Sequence, residues 1–109
     1  MARTRRGRTA EMTIGDWKLK VTGEVVRVER ENIDKSGRNP KYFYTFVVRS
    51  TALDAVPEGA VVPDEVPIRV KDVELERLTD SPPKTGDQVV MTARASGPRP
   101  QTFYLTAIE

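Results

Sequence analysis

The chain contains no cysteine and no histidine. The first absence removes thiol nucleophiles and disulfides, the second removes imidazole as a general base, and together they remove the best ligands of an ordinary zinc site. Neither a phosphate-cradling GxxxxGK(S/T) loop nor a GxGxxG turn is present. Carboxylates stand close together at Asp64 and Glu65 and at Glu74 and Glu76, but in an acidic loop and a short helix, where they read as solvent-facing charges. The sequence therefore predicts no enzyme, no catalytic residue, no metal and no cofactor. It also lacks any long apolar run, which excludes a membrane-spanning helix, and it lacks the apolar segment of a secretory signal. The expectation is a soluble, cytoplasmic protein with no membrane partner.

What is present fits one domain. A chain of 109 residues can bury a core without staples. Residues 1–14 open with MARTRRGRTA, in which Arg3, Arg5, Arg6 and Arg8 meet no acid. Such a stretch has too little apolar content to pack and is expected to be a disordered basic arm that seeks phosphate. Residues 15–109 carry the folded domain.

From Trp17 the pattern turns periodic. Leu19, Val21, Gly23 and Val25 alternate with polar residues, the signature of a half-buried strand, and the phase then slips to Val26 and Val28. A glycine followed by a slip predicts a bulge or sharp coil in a long strand. NIDKSGRNP is a loop. A second strand, KYFYTFVVR, follows, and ALDAVPEGAVVPDEV reads as a long acidic connection. VPIRVKD is a third strand, with Val66, Ile68 and Val70 on one side and Arg69 and Lys71 on the other. DVELERLTD makes two turns of helix, with Asp72 available as N-cap. QVVMTARAS and TFYLTAIE supply the last two strands, joined by SGPRPQ. Five strands with a helix between the third and fourth is the order of the OB-fold, a five-stranded all-β Greek-key barrel.

Aromatic residues are scarce, at 6% of the chain, yet Tyr42, Phe43, Tyr44 and Phe46 crowd into five positions. A strand throws successive side chains to opposite faces, so one set must leave the core. With Tyr44, Phe46 and Val48 inward, Phe43, Thr45, Val47 and Arg49 look outward. Sequence-tolerant binders of single strands place rings on a basic groove, because every base has a π-face. Phe43 is the leading stacking candidate. Tyr42 at the strand entry and Tyr104, opposite in phase to a core Phe103 and Leu105, are further candidates. Trp17 either stacks a base or caps the barrel. Cations surround these rings: Lys35, Arg38 and Lys41 in the first loop, Arg99 between two prolines in the last, and Arg49, Arg69, Lys71 and Arg94 at outward phases of strands. Residues 17–50 are predominantly basic and 54–80 predominantly acidic. This is either a polarised field or ordinary solubilising charge spread over a fold that mixes the two halves.

Three stretches, KVTGEVVRVERE, YTFVVRS and KTGDQVVMTARA, resemble the OB domain of the single-stranded-DNA-binding protein family. In the last, Gly86, Asp87 and Val89 match that family's turn into the fourth strand, with Thr85 inserted. The likeness spans about residues 15–109 and implies a minimal or divergent member that coats exposed strands, as in DNA replication. It does not extend to that family's long Gly-rich, acidic-tipped tail, so tail-borne recruitment of partners is not implied. The expected partner is single-stranded nucleic acid, DNA favoured over RNA. An RNA-binding barrel and a protein-interaction or assembly module, including a homo-oligomer, remain open at this point.

Overall fold

The computed structural model describes residues 14–34, 38 and 41–109. The arginine arm, Ile14 apart, and Lys35 lie outside the described residues. Five strands follow one another as β1 (Asp16–Asn32), β2 (Tyr42–Asp54), β3 (Glu65–Lys71), β4 (Gln88–Ser96) and β5 (Phe103–Ile108), with one helix, α1 (Asp72–Leu78), between β3 and β4. They close into a barrel in the order β1-β2-β3-β5-β4. Every pairing is antiparallel except that of β3 with β5. This is the OB-fold barrel that the element order predicts. Among the described residues no helix is long and apolar enough to cross a membrane.

The inward phases fill the barrel. Leu19, Val21 and Val25 from β1 meet Phe46 and Val48 from β2 and Val66, Ile68 and Val70 from β3. Met91, Ala93, Phe103 and Leu105 close the other side. Phe46 and Phe103 are the largest of the fully buried side chains, and Tyr44 is half-buried against the same core. Leu75 of α1 is buried in it too, which ties the helix to the barrel. Asp72 is the first helical residue and not the N-cap, a position taken by Lys71 without a side-chain cap. Its carboxylate instead accepts the Val73 N–H at 2.7 Å.

β1 does the work of two strands. Its first half pairs with β4 from Asp16↔Ser96 to Glu24↔Gln88, while residues 20–32 pair with β2. Two register shifts, at Thr22/Gly23 and at Val25/Arg27, bend it between these duties. At the first, β1 and β2 come so close that a Cβ on Gly23 would sit 2.0 Å from the Arg49 carbonyl oxygen and 2.9 Å from the Ser50 Cα. Only glycine fits there. At the second, Val26 is the extra residue. Val25 beside it exchanges backbone hydrogen bonds with the turn before β4: Val25 N–H donates to Asp87 O at 2.9 Å, and Gly86 N–H to Val25 O at 2.7 Å. That turn is itself closed by the Asp87 carboxylate accepting from Lys84 N–H at 2.9 Å, with Gly86 at φ +98°.

Two details depart from the sequence reading. β2 continues through Asp54, into residues read as connection, because β1 offers it hydrogen bonds as far as Lys20↔Asp54. Thr51, Ala52, Leu53 and Asp54 are all exposed, so no alternation announced this extension. Val47, placed on the outward face, is nevertheless buried, with Arg27 and Pro67 as its neighbours on the flanking strands.

Because the close approach at Gly23 is backbone against backbone, it cannot be relieved by a rotamer change. Gly23→Ala is expected to lower stability by about 2 kcal/mol or more in urea denaturation; an unchanged midpoint would show that the two strands can part there at little cost.

Candidate nucleic-acid interface

Strand pairing brings outward side chains into one level around the barrel. Lys18 on β1 stands opposite Arg94 on β4, Arg94 opposite Tyr104 on β5, and Tyr104 beside Arg69 on β3. Arg69 faces Thr45 on β2, and Thr45 faces Glu29 on the far half of β1. One step along β2, Phe43 faces Lys71. Residues distant in sequence thus become lateral neighbours about 5 Å apart.

Arg94, Tyr104, Arg69, Phe43 and Lys71 of this level line a trough of three adjoining depressions that share residues. Its middle is an open groove of about 490 Å³ bordered by Phe43, Arg69, Lys71, Arg94, Tyr104 and Thr106, with the carboxylate-bearing Glu74 of α1 also on its edge. Past Arg94 and Tyr104 it runs into a second depression of about 480 Å³ against Pro100, Gln101 and Thr102 of the β4–β5 loop. Past Phe43 and Lys71 it reaches a pocket of about 340 Å³ bounded by Ile33, Lys41, Tyr42, Asp72 and Val73. The trough therefore extends from the β1–β2 loop to the β4–β5 loop. Seven of the sequence candidates line it: Lys41, Tyr42, Phe43, Arg69, Lys71, Arg94 and Tyr104.

The rings in it already carry cations. The Arg69 guanidinium lies 4.5 Å from the Phe43 ring centroid and that of Arg94 lies 5.7 Å from Tyr104. Arg30 stacks on Tyr42 at 3.6 Å. At exposed sites such contacts are worth about 0.5–1 kcal/mol, a modest barrier to a competing base. Arg69 also approaches Glu31 at 3.7 Å, a solvent-screened pair of small net value. Among the described residues, Lys41, Lys71 and Arg94 make no ion pair.

The remaining candidates sit elsewhere. Arg49 is six residues along β2 from Phe43, about 20 Å away, and its guanidinium is held by Glu65 at 2.9 Å. Arg99 is exposed at the tip of the β4–β5 loop, and Arg38 is exposed in the β1–β2 loop; neither borders the trough. Trp17 is half-buried against the core, and its indole N–H donates to Gly97 O at 2.9 Å, which is the barrel-capping arrangement.

The sequence reading missed Arg30, Glu31, Thr106, Gln101, Ile33, Asp72 and Val73. Arg30 shares the phase of Val28, and the slip at Val26 was the available signal for turning it toward the tyrosines. Nothing in the sequence tells which helical residue borders a groove on a neighbouring strand. The charge question is answered as well: acidic and basic sequence halves are not spatial halves. β3, from the acidic half, lies between β2 and β5 and carries Arg69 and Lys71 into the trough, while Glu29 and Glu31 come from the basic half.

Trp17→Phe keeps an aromatic side chain, though a smaller one than the indole, and deletes the hydrogen bond to Gly97. The expected loss is about 1 kcal/mol of unfolding free energy; a midpoint equal to the parent's would remove the bond from the list of stabilising contacts.

No family model, curated protein or solved structure matches the chain, so the likeness to single-stranded-DNA-binding proteins rests on the residues that carry it.

Proposed function

We propose that this barrel binds single-stranded DNA along the trough, with little sequence preference over most of its length. The observation that carries the reading is the coincidence of three exposed or half-buried rings and four cations in one continuous depression between two loops. A duplex presents its bases edge-on and already stacked, and offers nothing for Phe43 or Tyr104 to stack upon. An unpaired strand offers both a π-face and a phosphate per nucleotide. In this reading Phe43 and Tyr104 take bases, and Arg69 and Arg94 slide from the ring faces to phosphates or onto the far side of the base. Lys41 and Lys71 neutralise the backbone at the β1–β2 end. The chain acts by binding, without chemistry on the strand.

A polarisation titration with labelled oligo(dT), run at several salt concentrations beside matched duplex and RNA, tests this. Four neutralised phosphates give a slope of log K against log salt of about −2.8. Phe43→Ala is expected to weaken binding by about 1–3 kcal/mol, and Arg49→Ala to leave it nearly unchanged. Duplex bound as tightly as single strand, or a slope near zero, would refute the reading. RNA bound more tightly than DNA would transfer it to RNA.

A further inference from the structure

The trough is not uniform, and its β1–β2 end differs from the rest in kind. The pocket there is more enclosed than the groove it opens from. Among the described residues its walls are Ile33, Tyr42, Phe43 and Val73, its cations are Lys41 and Lys71, and its one acid is Asp72, which stands on the rim between this pocket and the depression beside Tyr44. Ile33 and Val73 are both exposed, at 41% and 54%, and present apolar surface to the pocket.

The frame of this pocket is fastened from several sides. Ile33 N–H donates to Lys41 O at 2.8 Å. The Asn32 side-chain oxygen accepts from Lys41 N–H at 3.3 Å and from Asp34 N–H at 2.9 Å, holding the two ends of the loop together. Arg30, which is not part of the pocket wall, stacks on Tyr42 and positions its ring. Asp72 is fixed by its bond from Val73 N–H. An ionised carboxylate has about four acceptor positions, so one such bond leaves most of them available.

We propose that this pocket takes one base at the end of the bound strand and selects guanine, with Asp72 as the specificity-determining residue. The inference rests on the trough being a single-strand site. Its chemistry is that of edges. Guanine alone presents two adjacent parallel donors, N1–H and the N2 amino group, which match the two oxygens of a carboxylate. It also presents O6 and N7 as acceptors for lysine ammonium groups. Thymine has one ring donor flanked by carbonyl oxygens that repel a carboxylate. Adenine and cytosine each offer an amino group beside a ring nitrogen lone pair. Splayed single-stranded bases expose these edges, while the apolar walls accept the ring faces. Elsewhere in the trough Glu74 and Asp16 also border the groove, but the groups stacked on the rings there are the guanidinium groups of Arg69 and Arg94, and the walls are more open.

The test uses oligo(dT) of about eight nucleotides with one dG, dA or dC walked through every position, titrated against the full chain at fixed salt. At one position toward one end, dG is expected to bind at least about fivefold more tightly than the other three bases. Asp72→Asn, which places a donor against guanine's donors, should erase that preference, so that the dG-containing strands bind no more tightly than oligo(dT) to the same variant. Oligo(dT) bound with no position favouring dG would overturn this inference and leave the general reading standing. So would a preference that survives in Asp72→Asn. Oligo(dT) not bound at all would overturn both. The wild-type series stands whatever the variant's stability.

Discussion

The contact on which the rest of the molecule depends is the near-touching of two backbones at Gly23. Because no side chain intervenes, β1 can run from its pairing with β4 into its long pairing with β2 without a break. The second irregularity, at Val26, then decides which way everything beyond it faces. After that slip Val28 and Arg30 share the face of Tyr42 and Tyr44, while Glu29 and Glu31 share that of Phe43 and Thr45. A strand without the extra residue would put every one of these on the opposite side. The stacking of Arg30 on Tyr42 and the pairing of Glu31 with Arg69 both descend from that single inserted position.

Closure into a barrel makes neighbours of residues that sequence keeps apart. Arg69, Tyr104 and Arg94 lie on three strands, yet they form one lateral run because β5 enters between β3 and β4. The same interleaving mixes carboxylates among the cations: Glu74 borders the middle of the trough beside Arg69, Lys71 and Arg94, and Asp16 and Asp72 border its two ends. Rings and guanidinium groups are already in contact in the unliganded chain. Anything that settles on a ring must exchange with an arginine, and that arginine remains close enough to contact the newcomer.

The barrel was legible in the sequence because its core obeys a period of two. Leu19 to Val25, Val66 to Val70 and Val89 to Ala95 alternate cleanly, and the slip after Gly23 announced the bulge. The end of β2 was not legible, since Thr51 to Asp54 are all exposed and are held to β1 by backbone pairing and the Thr51 hydroxyl's bond to Thr22 O, not by an alternating apolar face. Most of the trough followed from outward phase, which singled out Phe43, Arg69, Lys71, Arg94 and Tyr104. Phase says nothing about distance along a strand, and so Arg49 was grouped with residues about 20 Å away. Nor does it say what a helix brings to a neighbouring groove; Asp72 and Val73 border the trough because α1 starts directly after Lys71, with no turn between.

The shared duty of β1 also bears on how the chain reaches this form. The first strand to leave the N-terminal region can find β2 early, across a short loop. Its other edge must wait for β4, and Asp16 has to meet Ser96 near the opposite end of the chain. The parallel seam between β3 and β5 likewise needs a return of the chain before it can zip. With so much pairing between remote segments, folding belongs to the slow class of β topologies, on the order of milliseconds to seconds. A β1–β2 ribbon formed ahead of β4 would carry one flank unsatisfied until that strand arrives.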